Sequence, residues 1–252
     1  MKIPTGSEDL DEFLSGGYEH DIITTVYGPA GSGKSNLCMI AAVEQAKKGK
    51  KVIFIDTEGS FSVDRLSQLG EESLMKNILV LKATSFAEQK EVFNRLLDEM
   101  LDGKSYSRYS RNYKETLKKD IGLIIVDSIA MLYRLEMGNA RGEGDDSKIN
   151  SINRSLAWQL KVLSEISRKK NIPIIVTNQV YSDFVRNPET DEKKVHMVGG
   201  DLLKYWSKCI IELKREKDRR RAILRKHRSL PEKELIFYIT DKGISKAGFR
   251  LF

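Results

Sequence analysis

Cysteine is scarce in this sequence of 252 residues, with only Cys38 and Cys209. Two distant thiols build no disulfide framework and, without a histidine cluster, no zinc site, so a reducing compartment is the default. Proline is sparse at 5 residues, and the 18 glycines follow no period, which excludes collagen-like and low-complexity chains. No apolar run approaches the roughly 18 residues of a membrane span. Residues 1–8 lack the apolar core of a secretion signal, so a cytoplasmic, nucleoid-associated location and no membrane partner are expected. What is present is a balanced composition, 40% hydrophobic and 31% charged, long enough to bury a core as one domain over residues 1–252.

The charge is localised. Lysine and arginine number 43 against 36 acids, a formal net charge of +7. Residues 214–228 hold nine basic and two acidic side chains, so this segment carries the whole excess. A local basic patch calls for a polyanionic partner.

Short apolar runs at 22–27, 51–56, 78–81, 121–127 and 172–177 read as buried strands. Their Ile and Val content without strict alternation suits a parallel sheet covered on both faces. Segments 34–48, 85–101 and 146–170 carry apolar residues at helical spacing. Strands alternating with helices predict an α/β fold, mostly parallel, with helices on both faces. After residue 202 the pattern changes to runs at 209–213, 221–225 and 235–240 separated by short turns, which predicts antiparallel strands at the C-terminal end.

Gly28-Pro29-Ala30-Gly31-Ser32-Gly33-Lys34-Ser35 matches the phosphate-binding pattern G-x-x-x-x-G-K-[ST] at every fixed position, between a predicted strand and a predicted helix. Glycines bring backbone N–H groups close to phosphate oxygens, and the helix start adds positive potential. Lys34 is the residue to reach the terminal phosphates, Ser35 the hydroxyl ligand for Mg²⁺, and Asn36 the next residue of the nucleotide-contacting run. A second metal anchor is Asp127, which ends the run LIIVD. Glu58 follows the second strand at the carboxyl edge of the sheet, where it is placed to orient water. Gln179 follows the run at 172–177 and is placed to touch the terminal phosphate.

Four motifs stand in order: GPAGSGKS at 28–35, FIDTEGSF at 54–61, LIIVDS at 123–128 and IIVTNQV at 174–180. The set resembles the ATPase core of the RecA/RadA recombinase family, and the resemblance extends from Thr5-Gly6-Ser7 to the segment 230–244. It implies a RecA-like P-loop core, ATP and Mg²⁺ as cofactors, Glu58 as catalytic carboxylate, Gln179 as nucleotide-sensing glutamine and Arg65 near the adenine. Only 27 residues precede the P-loop, and none of the nine Phe is followed at the third position by Ala. The expected chain is therefore a core-only archaeal paralogue without the N-terminal helical DNA-binding domain. It is expected to bind ATP and DNA, to hydrolyse ATP slowly, and to assist recombination and repair beside a full-length RadA-type recombinase. A homodimer or weak oligomer is the expected assembly. The alternative is a KaiC-like ATPase switch that acts through protein partners without DNA.

The family's first DNA loop would fall at 138–146 and its second at 181–196, but acids match or outnumber bases in both. Arg219, Arg220, Arg221, Arg225, Lys226, His227 and Arg228 are the expected DNA contacts instead, with single strands as first ligand and duplex as second. Arginine suits phosphate because its planar fork donates two hydrogen bonds, and His227 is expected to add charge as pH falls. Residues 131–137, rich in Met and Leu, are the expected docking surface for a recombinase. Residues 106–119 interleave Arg and Tyr and read as a solvated connector.

Overall fold

The computed structural model describes residues 1–102, 120–186 and 193–247. The connector at 106–119 and the centre of the second expected DNA loop lie outside these residues. Strand β1 (Lys2–Ile3) and helix α1 (Glu8–Phe13) lead to β2 (Tyr18–Glu19), which pairs with β1. Then come β3 (Ile23–Tyr27), α2 (Lys34–Lys47), β4 (Lys51–Asp56), α3 (Val63–Leu69), β5 (Ile78–Lys82) and α4 (Phe86–Leu97). The second half continues with β6 (Ile121–Asp127), α5 (Met131–Glu143), α6 (Asp146–Lys170) and β7 (Ile174–Asn178). A hairpin of β8 (Val180–Arg186) and β9 (Lys193–Met197) precedes α7 (Gly200–Trp206). The chain ends in β10 (Cys209–Glu216), β11 (Arg219–Lys226), β12 (Glu234–Thr240) and β13 (Gly243–Lys246).

The central sheet runs β13-β12-β11-β10-β3-β7-β6-β4-β5. From β10 through β5 all neighbours are parallel, and from β10 to β13 they are antiparallel. This is the α/β architecture expected from the alternation of runs. Period-two alternation divides the sheet's side chains between two cores. Phe54, Leu123, Ile125 and Ile175 pack with Leu37 and Ala41 of α2. Ile53, Ile55, Ile124 and Val126 pack with Leu156, Leu160 and Leu163 of α6. Alanines 41, 42 and 46 bring α2 close to the sheet, so it is buried on most sides. Among the described residues no helix is long and apolar enough to cross a membrane.

Strands 51–56 and 121–127 and helix 146–170 have the bounds read from the sequence. Ser85 caps α4 by accepting from the Glu88 N–H, and that helix ends at Leu97 in a wider turn (Asp98–Asp102). The stretch 138–146, where the family's first DNA loop would fall, is mostly helix. Gly138 and Gly142 lie inside α5, and only Gly144, in a left-handed conformation, and Asp145 separate it from α6. Burial of Leu132, Tyr133, Met137 and Ala140 outweighs the roughly 1 kcal/mol that each interior glycine costs. The same burial corrects the expected recombinase surface, because Leu132 and Met137 belong to the core and only Leu135 is left as an exposed large apolar residue of that segment.

Candidate functional site

Strand β3 delivers the P-loop to the carboxyl edge of the sheet. A side chain on Gly28 would begin 2.3 Å from the Leu213 carbonyl oxygen of β10, so only glycine fits where the loop leaves the sheet. Gly33, left-handed at φ +103°, turns the chain into α2. The Lys34 Nζ donates to the Gly28 and Pro29 carbonyls at 2.9 and 3.0 Å, folded onto its own loop. Burial pushes the Lys34 pKa down, against the pull of the Glu58 and Asp127 carboxylates.

Among the described residues, three polar atoms around this loop are buried without a hydrogen-bond partner: Ser32 Oγ, Asn36 Nδ2 and Glu58 Oε1. Each such atom costs about 1–3 kcal/mol in a finished interior. Two can donate toward an anion and one accepts, beside the Lys34 ammonium, a set that fits a nucleotide phosphate with water next to it.

Sheet order assembles the acidic side. Because β6 lies between β4 and β7, Asp127 receives the Ser60 hydroxyl at 2.6 Å from the turn after β4 and the Thr177 hydroxyl from β7. Asp56 accepts from the Ser60 and Phe61 N–H groups and folds that turn. Gln179 donates its amide to Glu58 Oε2 at 3.0 Å, so the expected water-orienting and sensing residues are in contact. Sequence reasoning missed Ser60 and Thr177; nothing along the chain marks them as neighbours of Asp127.

Arg65 joins three elements. It donates to Asn36 Oδ1 at 2.8 Å and to the carbonyls of Thr240 and Asp241 at 2.7 and 3.0 Å. Its α3 begins at a cap in which Ser62 accepts the Arg65 N–H. The Ile239 side chain lies over Gly33. Arg65 and Ile239 thus stand together beside the start of α2.

The basic segment does not form one surface. Strand β11 runs antiparallel to β10, so its start lies at the nucleotide edge and its end at the opposite, amino edge. Arg220 departs from the expected DNA role, because its Nε donates to the P-loop carbonyl of Gly31 at 3.1 Å. Arg221 pairs with Glu216 and Glu234, both at 2.6 Å. Arg225 pairs with Glu212 and Glu232, and Arg228 with Glu19 and Asp21. The Lys226 ammonium donates to the Lys204 carbonyl. His227 is corrected outright. Its side chain is 1% exposed, its Nδ1 accepts the Ser229 and Leu230 N–H groups, and burial pushes its pKa down despite nearby Glu19. It caps a turn rather than facing solvent.

Near Arg228 the amino edge carries a cleft of about 320 Å³ lined by Ser164, Arg168, Tyr205, Trp206 and Lys208. Tyr205 is 72% exposed and meets Trp206 edge to face. Arg168 and Lys208 were not singled out from sequence, since only the docking of α6 and α7 at this edge brings them to the basic strand.

A sequence profile described as Rad51 matches residues 1–247. The chain is 38% identical over 249 residues to the DNA repair and recombination protein RadB of Methanobrevibacter smithii, covering 96% of this chain and 95% of that protein. It is 39% identical over 250 residues to the protein of the same name from Methanosphaera stadtmanae, covering 96% and 94%. The corresponding protein of Methanothermobacter thermautotrophicus is 35% identical over 249 residues, covering 96% and 95%.

Proposed function

Since the chain belongs to the Rad51 family, we propose that it is an ATP- and DNA-binding accessory protein of homologous recombination and DNA repair with slow, Mg²⁺-dependent ATP hydrolysis. The observation that carries this reading is the ring of buried, unpartnered Ser32, Asn36 and Glu58 atoms around a complete P-loop. Lys34 and the loop amides bind the phosphates, Ser35 and Asp127 hold the metal, and Arg65 lies beside the adenine. When bound, Mg²⁺ supplies neutralising charge on the triphosphate. Glu58 accepts a water proton at Oε1, while Gln179 holds its other oxygen in place. The Gln179 carbonyl also receives the Val198 N–H, so the sensing residue sits at the root of the β8–β9 hairpin.

DNA binds the amino edge through Arg225, Lys226 and Arg228. Support comes from the adjoining cleft, where Arg168 and Lys208 add charge and exposed Tyr205 offers a stacking ring. The protein partner is a full-length RadA-type recombinase. Binding of a non-hydrolysable ATP analogue tests the core of the reading. Lys34→Ala should lose it with an unchanged circular dichroism spectrum, and retained affinity would refute the site.

A further inference from the structure

The basic residues at the start of β11 are not explained by a DNA site on the opposite edge. Register assigns them a place. Arg215 of β10 pairs with Arg220 of β11, and Arg220 pairs with Phe237 of β12. Phe237 belongs to the core on the α2 face, as do Leu213, Ala222 and Leu224. Alternation therefore puts Arg215 and Arg220 on that same face, two residues beyond the buried ones, where β10 and β11 overrun the end of β3. Below them is the P-loop. Arg220 Nε holds the Gly31 carbonyl, Arg220 Nη1 donates to its own hairpin at the Arg219 carbonyl, and a carbon on Gly31 would lie 3.5 Å from Arg215 Nη1. A guanidinium has five N–H donors. Among the described residues the Arg220 Nη2 has no hydrogen-bond partner. The other face of the hairpin carries Lys214, Glu216, Arg219 and Arg221, where Glu216 and Glu234 bind Arg221. Among the described residues no carboxylate holds the pair that faces the loop, although acids pair with Arg221, Arg225 and Arg228 elsewhere in the segment.

We propose that the β10–β11 hairpin is a phosphate clamp supplied by the same chain, with Arg220, seconded by Arg215, binding the terminal phosphate of the triphosphate on its own P-loop. This rests on the ATP reading above. It adds that the terminal phosphate gains its extra cations without a neighbouring subunit, so affinity does not depend on assembly.

Calorimetric titration with a non-hydrolysable ATP analogue and with ADP tests the clamp. The proteins are wild type, Arg220→Ala, Arg220→Gln, Arg215→Ala and Lys214→Ala, each at two protein concentrations about tenfold apart. Arg220→Ala should weaken the triphosphate analogue roughly tenfold, the loss of one charge-assisted bond, and leave ADP within about twofold. Arg220→Gln, which keeps a donor for Gly31 but no charge, should give the same loss. Arg215→Ala should give a smaller loss of the same selectivity. Lys214→Ala removes equal charge from the other face and should bind as wild type, at both concentrations. Equal losses for both nucleotides, rescue by Gln, an equal effect in Lys214→Ala, or an affinity that rises with protein concentration would each overturn the clamp. If wild type binds neither nucleotide, the ATP reading fails and the clamp with it. If wild type binds both and Arg220→Ala matches it, only the clamp fails.

Discussion

Removing the cations of the amino edge should change the salt dependence of DNA binding as well as its strength. Each phosphate of a single strand neutralised by a cation contributes about 0.7 to the slope of log affinity against log salt. Three contacts from Arg225, Lys226 and Arg228 contribute about 2, so between about 50 and 200 mM salt the wild type should lose some twentyfold more affinity than Arg225/Lys226/Arg228→Ala. The structure adds a second, opposite effect. Arg225 already holds Glu212 and Glu232, and Arg228 holds Glu19 and Asp21, so DNA must displace carboxylates to engage them. Glu232 is 57% exposed, and an exposed pair is worth about 0.2–1 kcal/mol. Glu232→Gln should therefore strengthen DNA binding, by up to about fivefold. Fluorescence anisotropy of labelled single-stranded DNA at four salt concentrations reads both effects. Equal slopes for wild type and the triple variant, or weaker binding by Glu232→Gln, would refute the placement of DNA at this edge.

Two further outcomes follow from the sites described. Glu58→Gln should retain nucleotide affinity and the contact with Gln179 but slow hydrolysis by about a hundredfold or more, measured as phosphate release; unchanged turnover would remove Glu58 from the chemistry. His227, surrounded by Glu19, Lys2, Arg228 and Lys233, has a folded pKa below its ordinary 6.5, so folding favours its neutral form. Its stabilisation is complete above that value and is lost as pH falls below it. The drop in stability to urea between about pH 7.5 and 5.5 should flatten in His227→Asn, which keeps an acceptor at the Nδ1 position; an unchanged drop would place the titration elsewhere.

The P-loop, the strands that carry Glu58, Asp127 and Gln179, and helix α6 were legible because each is written in contiguous residues. Glycine spacing, an unbroken Ile/Val run and a helical stripe need no partner to be recognised. The clamping of Asp127 by Ser60 and Thr177 was not legible, because it depends on β6 lying between β4 and β7 in the sheet. The division of the basic segment between two edges was hidden for a related reason. Composition counted nine cations in fifteen residues, whereas antiparallel pairing sends Arg220 to one edge and Arg225 to the other. The acids that meet Arg225 and Arg228, including Glu19, Asp21 and Glu212, lie outside the run or on another strand. His227 read as a solvent-facing cation because no local pattern shows that its ring turns inward to cap residues 229 and 230. Gly138 and Gly142 read as loop because their local cost is visible and the burial of Leu132 and Met137 is not.

Strand β11 also limits how the length of this chain can vary. Arg225 lies five positions after Arg220, roughly 17 Å along extended backbone, and the two occupy opposite faces because that offset is odd. Inserting one residue between them would turn one guanidinium to the wrong side of the sheet, taking it either from the P-loop or from Glu212. Inserting two would restore both faces but lengthen the span by roughly 7 Å. Residues added at the tip, between Glu216 and Arg219, would change neither the facing nor the span. Homologous chains are therefore expected to differ in length at the hairpin tip and after residue 228, while the stretch 220–225 keeps a fixed count.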